Sequence, residues 1–240
     1  MKHGELKTSL TEYLSMMHIC PTPPEVDLLV RHIELVLEAN QRVNLTRVSD
    51  PLAAVKLHTA DSLSVLQDVA LGPAGPLLDL GSGAGFPGIP LAVCQGRQVV
   101  LLDSVGKKVR ELDGMVTRLG LEHRVVARAG RAEALARQEP GRYGVVTARA
   151  VSELPALVEL ASPLLVHDGR LLCLKGSPSS DERDRAESVA ELVGMRPEYE
   201  RSFDLPEQAG HRTVLCYRKS GSSTVALPRR EGLAQHAPLA

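Results

Sequence analysis

The twelve residues from Leu77 to Gly88, LLDLGSGAGFPG, constrain this chain more than any other stretch. An apolar run too short for a helix carries one acid and is followed by four glycines within eight residues, the pattern of a buried strand ending in a tight turn. Gly81, Gly83 and Gly85 permit positive φ and close approach of backbone to a ligand. Pro87 suits the first turn of a following helix, whose free amides then face the turn. Strand, glycine turn and helix in this order begin a βαβ unit.

The remainder of the chain repeats that rhythm. Short apolar runs at 77–80, 98–103, 124–129, 143–148 and 169–175 alternate with helical candidates at 88–95, 105–119, 131–138, 153–161 and 181–194, and a late strand pair lies near 198–204 and 212–218. Strands alternating with helices predict a mostly parallel sheet covered on both faces, with right-handed crossovers. The last two strands have no room before them for another crossover helix, which predicts a terminal antiparallel hairpin. Before the first strand, residues 5–71 read as helical, with Val26, Leu29, Val30, Ile33, Val36 and Leu37 recurring at three- and four-residue steps and Pro23 and Pro24 opening the second helix. The expected organisation is therefore a helical extension over 1–71, a cofactor-binding α/β domain over 72–219, and a flexible tail over 220–240.

Composition narrows the function classes. With 43% hydrophobic and 24% charged residues the chain reads as an ordinary globular protein, and no apolar run approaches the roughly 20 residues needed to span a bilayer. No export signal opens the sequence, so a cytoplasmic location and no membrane partner are expected. The four cysteines are scattered, without C-x-x-C or neighbouring histidines at ligand spacing, which predicts reduced core thiols and no metal site. Twenty-eight basic against 29 acidic side chains leave no broad positive field, so any contact with nucleic acid must be local. There is no Trp and there are only two Phe, which makes Phe86, inside the glycine turn, conspicuous.

Two cofactor classes suit the turn. Counted from Gly83, the spacing G-x-G-x-x-G is the dinucleotide fingerprint, and Asp103, 20 residues later at the end of the second strand, is placed to accept ribose hydroxyls. S-adenosylmethionine fits the same features. Asp79 favours the latter: a carboxylate facing the cleft would attract its ammonium group and repel a pyrophosphate. An NAD-dependent oxidoreductase remains the alternative at this point.

With its flanks included, the chain resembles the glucose-inhibited division protein B family of bacterial 16S rRNA guanine-N7 methyltransferases. The resemblance spans about residues 25–218. It is carried by VNLTRVSDP (43–51), the H-x-x-D-S of His58, Asp61 and Ser62, DLGSGAGFPGIPLA (79–92), LLDSVGKKVREL (101–112), ARA (148–150) and LKG (174–176). It implies a Rossmann-like class I methyltransferase fold with a seven-stranded, mostly parallel sheet and an N-terminal helical extension. It also implies S-adenosylmethionine as cofactor and 16S rRNA or the small ribosomal subunit as partner, with a monomer expected. The residues it places at the cofactor are Gly81, Phe86, Asp103, the Ala132-Glu133 pair and Arg149. Guanine N7 carries an unprotonated in-plane lone pair, so no general base is expected and Arg149 is assigned to positioning. An acceptor on another RNA, or a small molecule, is the alternative, and a non-catalytic binding module is the rival outside enzymes.

The remaining candidates concern RNA. Lys107 and Lys108, together with Lys175, stand near the same sheet edge and are candidates for phosphate contacts. His58, Asp61 and Ser62 share a helical face by their spacing. The end of the chain, LPRREGLAQHAPLA, resembles a longer C-terminal form in part of the family and adds Arg229 and Arg230 as RNA candidates, although Gln235-His236 stands where that form has lysine.

Overall fold

The structure, a computed structural model, describes residues 3–240; the first two residues of the expected helical extension lie outside that range. The chain begins with helices α1 (His3–Met16) and α2 (Pro23–Asn40), then α3 (Pro51–Ala54), a π-helical turn over Val55–Ala60, α4 (Asp61–Leu63) and α5 (Leu66–Ala70). Strand and helix then alternate through β1 (Leu77–Leu80), α6 (Gly88–Cys94), β2 (Val99–Asp103), α7 (Gly106–Arg118), β3 (Val125–Ala129), α8 (Ala132–Gln138), β4 (Tyr143–Arg149) and α9 (Leu154–Ala161). The chain closes with β5 (Leu165–Lys175), α10 (Ser180–Leu192), β6 (Met195–Leu205), β7 (Gly210–Lys219) and the short α11 (Leu233–His236).

The seven strands form one sheet in the order β3-β2-β1-β4-β5-β7-β6. Pairings from β3 across to β5 are parallel, and β7 runs antiparallel between β5 and β6, so the expected hairpin is present and inserts its second strand into the sheet. Strand order reverses between β1 and β4, which opens a crevice beyond their carboxyl ends.

Period-two alternation sorts the strand residues between two cores. Leu77, Val99, Leu101 and Val145 face one side, where they pack with α2, α6 and α7. Leu78, Val100, Leu102 and Val146 face the other, with α8, α9 and α10. The N-terminal helices do not build a core of their own. Leu10, Leu14, Leu29 and Ile33 belong to the same buried cluster as Leu77 and Leu101, so the extension is a layer laid over one face of the sheet. The expectation of a flexible tail after residue 219 is corrected as well: Ala234 is buried, and Leu227 and Leu239 pack on the second core. Alternation of apolar and polar residues is absent there because short loops dock one side chain at a time. No helix among the described residues is long and apolar enough to cross a membrane.

Candidate active site

The crevice at the switch point is a cleft of about 430 Å³, within the roughly 300–1,000 Å³ of small-molecule sites. Gly81, Gly83, Phe86, Asp103, Lys108 and Arg149 line it, together with His58. A side chamber of about 70 Å³ continues past Gly81 towards Ala132 and Glu133 at the start of α8. Residues from four strand ends that are distant in sequence thus meet along one edge, as the strand–turn–helix reading requires.

The glycine turn is built from within. Ser82 Oγ donates to the Asp79 carbonyl at 2.9 Å, and the Gly85 amide donates to the Ser82 carbonyl at 2.7 Å. Gly81 has φ +71°, and a Cβ there would lie 2.5 Å from a Val151 methyl, so both its conformation and its packing demand glycine. Gly85, expected at the ligand, instead packs inward: a Cβ there would meet Ile89 at 2.6 Å and the His32 ring at 3.1 Å. Its place in the motif reflects helix packing rather than approach to a ligand.

Asp79 overturns the electrostatic argument made for it. Its carboxylate is fully buried behind the turn, accepting from the Gly88 amide at 3.0 Å and from Thr147 Oγ1 at 3.1 Å, and it does not line the cleft. Burial pushes its pKa up to about 6, although the Gly88 and Thr147 hydrogen bonds oppose the shift. Asp79 therefore fastens β1 to the first amide of α6 and to β4, and its position does not discriminate between cofactors.

Asp103 is where the sequence placed it. One carboxylate oxygen accepts from the Gly83 amide at 3.0 Å and the other from the Val105 amide at 2.8 Å. Each oxygen keeps a lone pair, so the group can still accept two hydroxyls from a ribose in the cleft.

Phe86 is 3% exposed, and its ring lies 4.5 Å from His32 and 4.8 Å from His58 by centroid. The Arg149 guanidinium carbon sits 5.4 Å from the same ring. Burial holds His32 down to about 3, and burial with the nearby Arg149 charge holds His58 down to about 4, so both rings are neutral at pH 7. Neutral His32 donates its Nε2 proton to the Ala84 carbonyl at 3.0 Å, which ties α2 to the glycine turn. His58 Nδ1 approaches the Leu57 carbonyl at 3.1 Å and its Nε2 the Thr46 hydroxyl at 2.7 Å, so one tautomer satisfies both nitrogens.

Arg149 spends Nη1 on the Leu57 carbonyl and on Asp61, both at 3.1 Å, which leaves other guanidinium protons available at the cleft. Asp61 is 4% exposed and shared: its second oxygen accepts from Arg212 Nε of β7 at 2.9 Å. Leu57 lies in the π-helical turn, whose widened hydrogen-bond pattern presents this carbonyl to Arg149. Asp61 is therefore an internal counter-charge rather than an RNA contact. Ser62 is buried and donates to the His58 carbonyl at 2.6 Å, so the H-x-x-D-S motif is one structural unit in which only His58 reaches the cleft.

The RNA candidates divide by what they touch. Lys107 and Arg230 are exposed, and Lys108 borders the cleft. Lys175 is paired with Glu182 at 2.7 Å and donates to the Ser152 carbonyl. Arg229 forks onto both oxygens of Glu159, itself 3% exposed, at 2.7 and 2.6 Å. These two cations serve the fold. Among the described residues no group of His, Cys, Asp and Glu is placed to hold a metal ion.

Several cleft residues were not singled out by the sequence. Thr46 lay within a quoted motif without a role, and Gln235, noted in the sequence only as a departure from the C-terminal motif, lines both chambers. Ala150, in the left-handed region at φ +55°, turns the chain sharply after Arg149.

The strand order, the antiparallel seventh strand and the cleft at the switch point define a class I methyltransferase fold. Solved structures agree: geranyl diphosphate methyltransferase in complex with GPP and sinefungin superposes with TM-score 0.57 at 14% identity, over 82% of this chain and 100% of that one. The [4+2]-cyclase SpnF superposes at TM-score 0.54 with 14% identity, over 67% and 81% respectively, so the fold alone does not name the reaction. Sequence does more. The family described as GidB, rRNA small subunit methyltransferase G, matches residues 25–208. The ribosomal RNA small subunit methyltransferase G of Symbiobacterium thermophilum is 36% identical over 239 residues, 96% of either chain. That of Deinococcus radiodurans is 37% identical over 219 residues, 90% of this chain and 86% of its own. The chain belongs to the GidB family.

Proposed function

We propose that this protein transfers a methyl group from S-adenosylmethionine to N7 of a guanine in 16S rRNA, acting in the cytoplasm on the rRNA or the small subunit. The observation that carries the reading is Asp103: a carboxylate at the second strand end, held by two backbone amides of the loops on either side, open to a cleft of cofactor size. In a chain of this family, that acceptor fits the ribose hydroxyls of S-adenosylmethionine, with Gly81 and Gly83 beneath the cofactor and the Ala132-Glu133 turn at its purine end.

When bound, the cofactor supplies a methyl group on a sulfonium, which leaves as a neutral thioether. The chain's own residues have a modest chemical task. The attacking lone pair needs no proton removed, and His58, neutral at pH 7, is no obstacle to the cation that forms on the base. Arg149 brings a positive charge to the cleft, and the buried Asp61 carboxylate 3.1 Å away offsets it. Its role is to donate hydrogen bonds that fix the partners of the transfer, with rate gained through alignment. Phe86, His58 and Thr46 form the wall against which the transfer takes place. Lys107, Lys108 and Arg230 are the cations available for RNA phosphates.

The test is incorporation of labelled methyl from S-adenosylmethionine into 16S rRNA, followed by borohydride reduction and aniline cleavage, which breaks the strand at N7-methylguanine. Label at one cleavable guanine is expected. Label that resists cleavage would overturn the N7 assignment, and no label in naked rRNA or in small subunits would overturn the rRNA reading.

A further inference from the structure

The segment after β7 lies beyond residues 25–208, the part of the chain that the family match describes. Three anchors hold it. Arg229 forks onto Glu159 of α9 at 2.7 and 2.6 Å, and its Nη2 also donates to the Ala237 carbonyl at 2.8 Å, closing the segment on itself. Arg137 of α8 donates to the Arg229 carbonyl at 2.9 Å. The Gly232 amide donates to Glu133 Oε1 at 2.7 Å in a buried contact. Glu159 sits in an otherwise apolar layer, where an unpaired carboxylate would cost several kcal/mol. The strap is thereby fixed to the protein beside the candidate cofactor site: Glu133 lines the side chamber, and Gln235 lines both that chamber and the main cleft.

We propose that this strap is a wall of the purine–ribose subsite and that Gln235 is a cofactor-binding residue, contacting the purine edge or a ribose hydroxyl. The inference rests on the cofactor assigned under the proposed function. Glu133, whose Oε1 accepts from the Gly232 amide, can only accept as a carboxylate, so it cannot donate to the ring nitrogens of a purine. The Gln235 amide offers one acceptor and two donor protons without a charge, the chemistry an adenosine edge requires. The strap also holds the Ala132-Glu133 turn in place through Gly232. Arg229 is committed to Glu159, so of the two strap arginines only the exposed Arg230 is left for RNA.

The experiment is calorimetric titration of the full-length protein, wild type and Gln235→Ala, with S-adenosylmethionine and with 5′-methylthioadenosine, which lacks the amino-acid end. His236→Ala, an exposed neighbour on the same strap, is the control. Gln235→Ala is expected to weaken both ligands by about fivefold, the size of one net hydrogen bond, with an unchanged melting temperature in the absence of ligand. His236→Ala is expected to match wild type. Unchanged affinities in Gln235→Ala, or a loss confined to rRNA binding, overturn the inference. Weakening of S-adenosylmethionine alone would move Gln235 to the amino-acid end and overturn the purine assignment. Failure of the wild type to bind either adenosine ligand would overturn the proposed function itself, a distinct result.

Discussion

Replacing Asp79 by Asn should stabilise the protein at alkaline pH and lose that advantage in acid. The carboxylate is fully buried, and its pKa rises from 3.8 to about 6. Two units at 1.36 kcal/mol each put the cost of keeping it ionised in the fold at about 3 kcal/mol. The fold holds its proton more tightly than the unfolded chain does. The protonated form's contribution is therefore complete below the unfolded value near 4 and disappears as pH rises through about 6. An Asn at this position does not titrate. Its oxygen still accepts from Gly88, and its amide donates to the Thr147 hydroxyl, which rotates and gives up its present acceptor at a cost of about 1 kcal/mol. The variant should exceed wild type by about 2 kcal/mol at pH 8 and fall about 1 kcal/mol below it near pH 4, so the change across the range, about 3 kcal/mol, comes from Asp79 alone. Urea unfolding of both proteins at several pH values measures this difference directly. The opposing physical idea is that the α6 amide stabilises the anion as helix N-termini do. A flat difference, or a wild type that gains on the variant as pH rises, would show that the amide outweighs burial and refute the reasoning.

Asp61→Asn should destabilise the fold by about 2–4 kcal/mol, because two partly buried guanidinium groups, Arg149 and Arg212, lose their shared counter-charge. It should also lower kcat more than it weakens cofactor binding; denaturation together with a kcat and KM comparison checks both parts, and equal stability would remove Asp61 from its assigned place. Arg229→Ala should cost about 3 kcal/mol by stranding the Glu159 carboxylate, read by urea unfolding, and a change under about 0.5 kcal/mol would mean that the strap is not anchored there.

Much of the fold was legible because it depends on local pattern. β1, the glycine turn, β2 and α7 stand within a few residues of where periodicity placed them, and Asp103 reached the cleft because a strand end is defined locally. Errors arose where a side chain's direction or partner mattered. Asp79 and Asp103 are both acids at strand ends. Only the register of β1 against β2 and β4 decides that one turns under the loop and the other into the cleft. The cations misled for a related reason: Lys108 and Lys175 look alike in sequence, and Glu182, from the next helix, distinguishes them.

The sequence by itself determined the architecture and the place of the cleft, because alternating periodicity and a glycine turn act over ten or twenty residues and their physics is local, and the family through its resemblance over longer motifs. Tertiary structure alone decided that the N-terminal helices share the core of the sheet, and that Arg149 and Arg212 share Asp61 as their counter-charge. It alone also decided that the last twenty residues return to the side chamber beside Glu133. Each of these joins groups far apart in sequence, as Gly232 joins Glu133 and Arg149 joins Asp61. A buried charge accepts whatever counter-charge the folded chain brings to it, and no local pattern records which one that is.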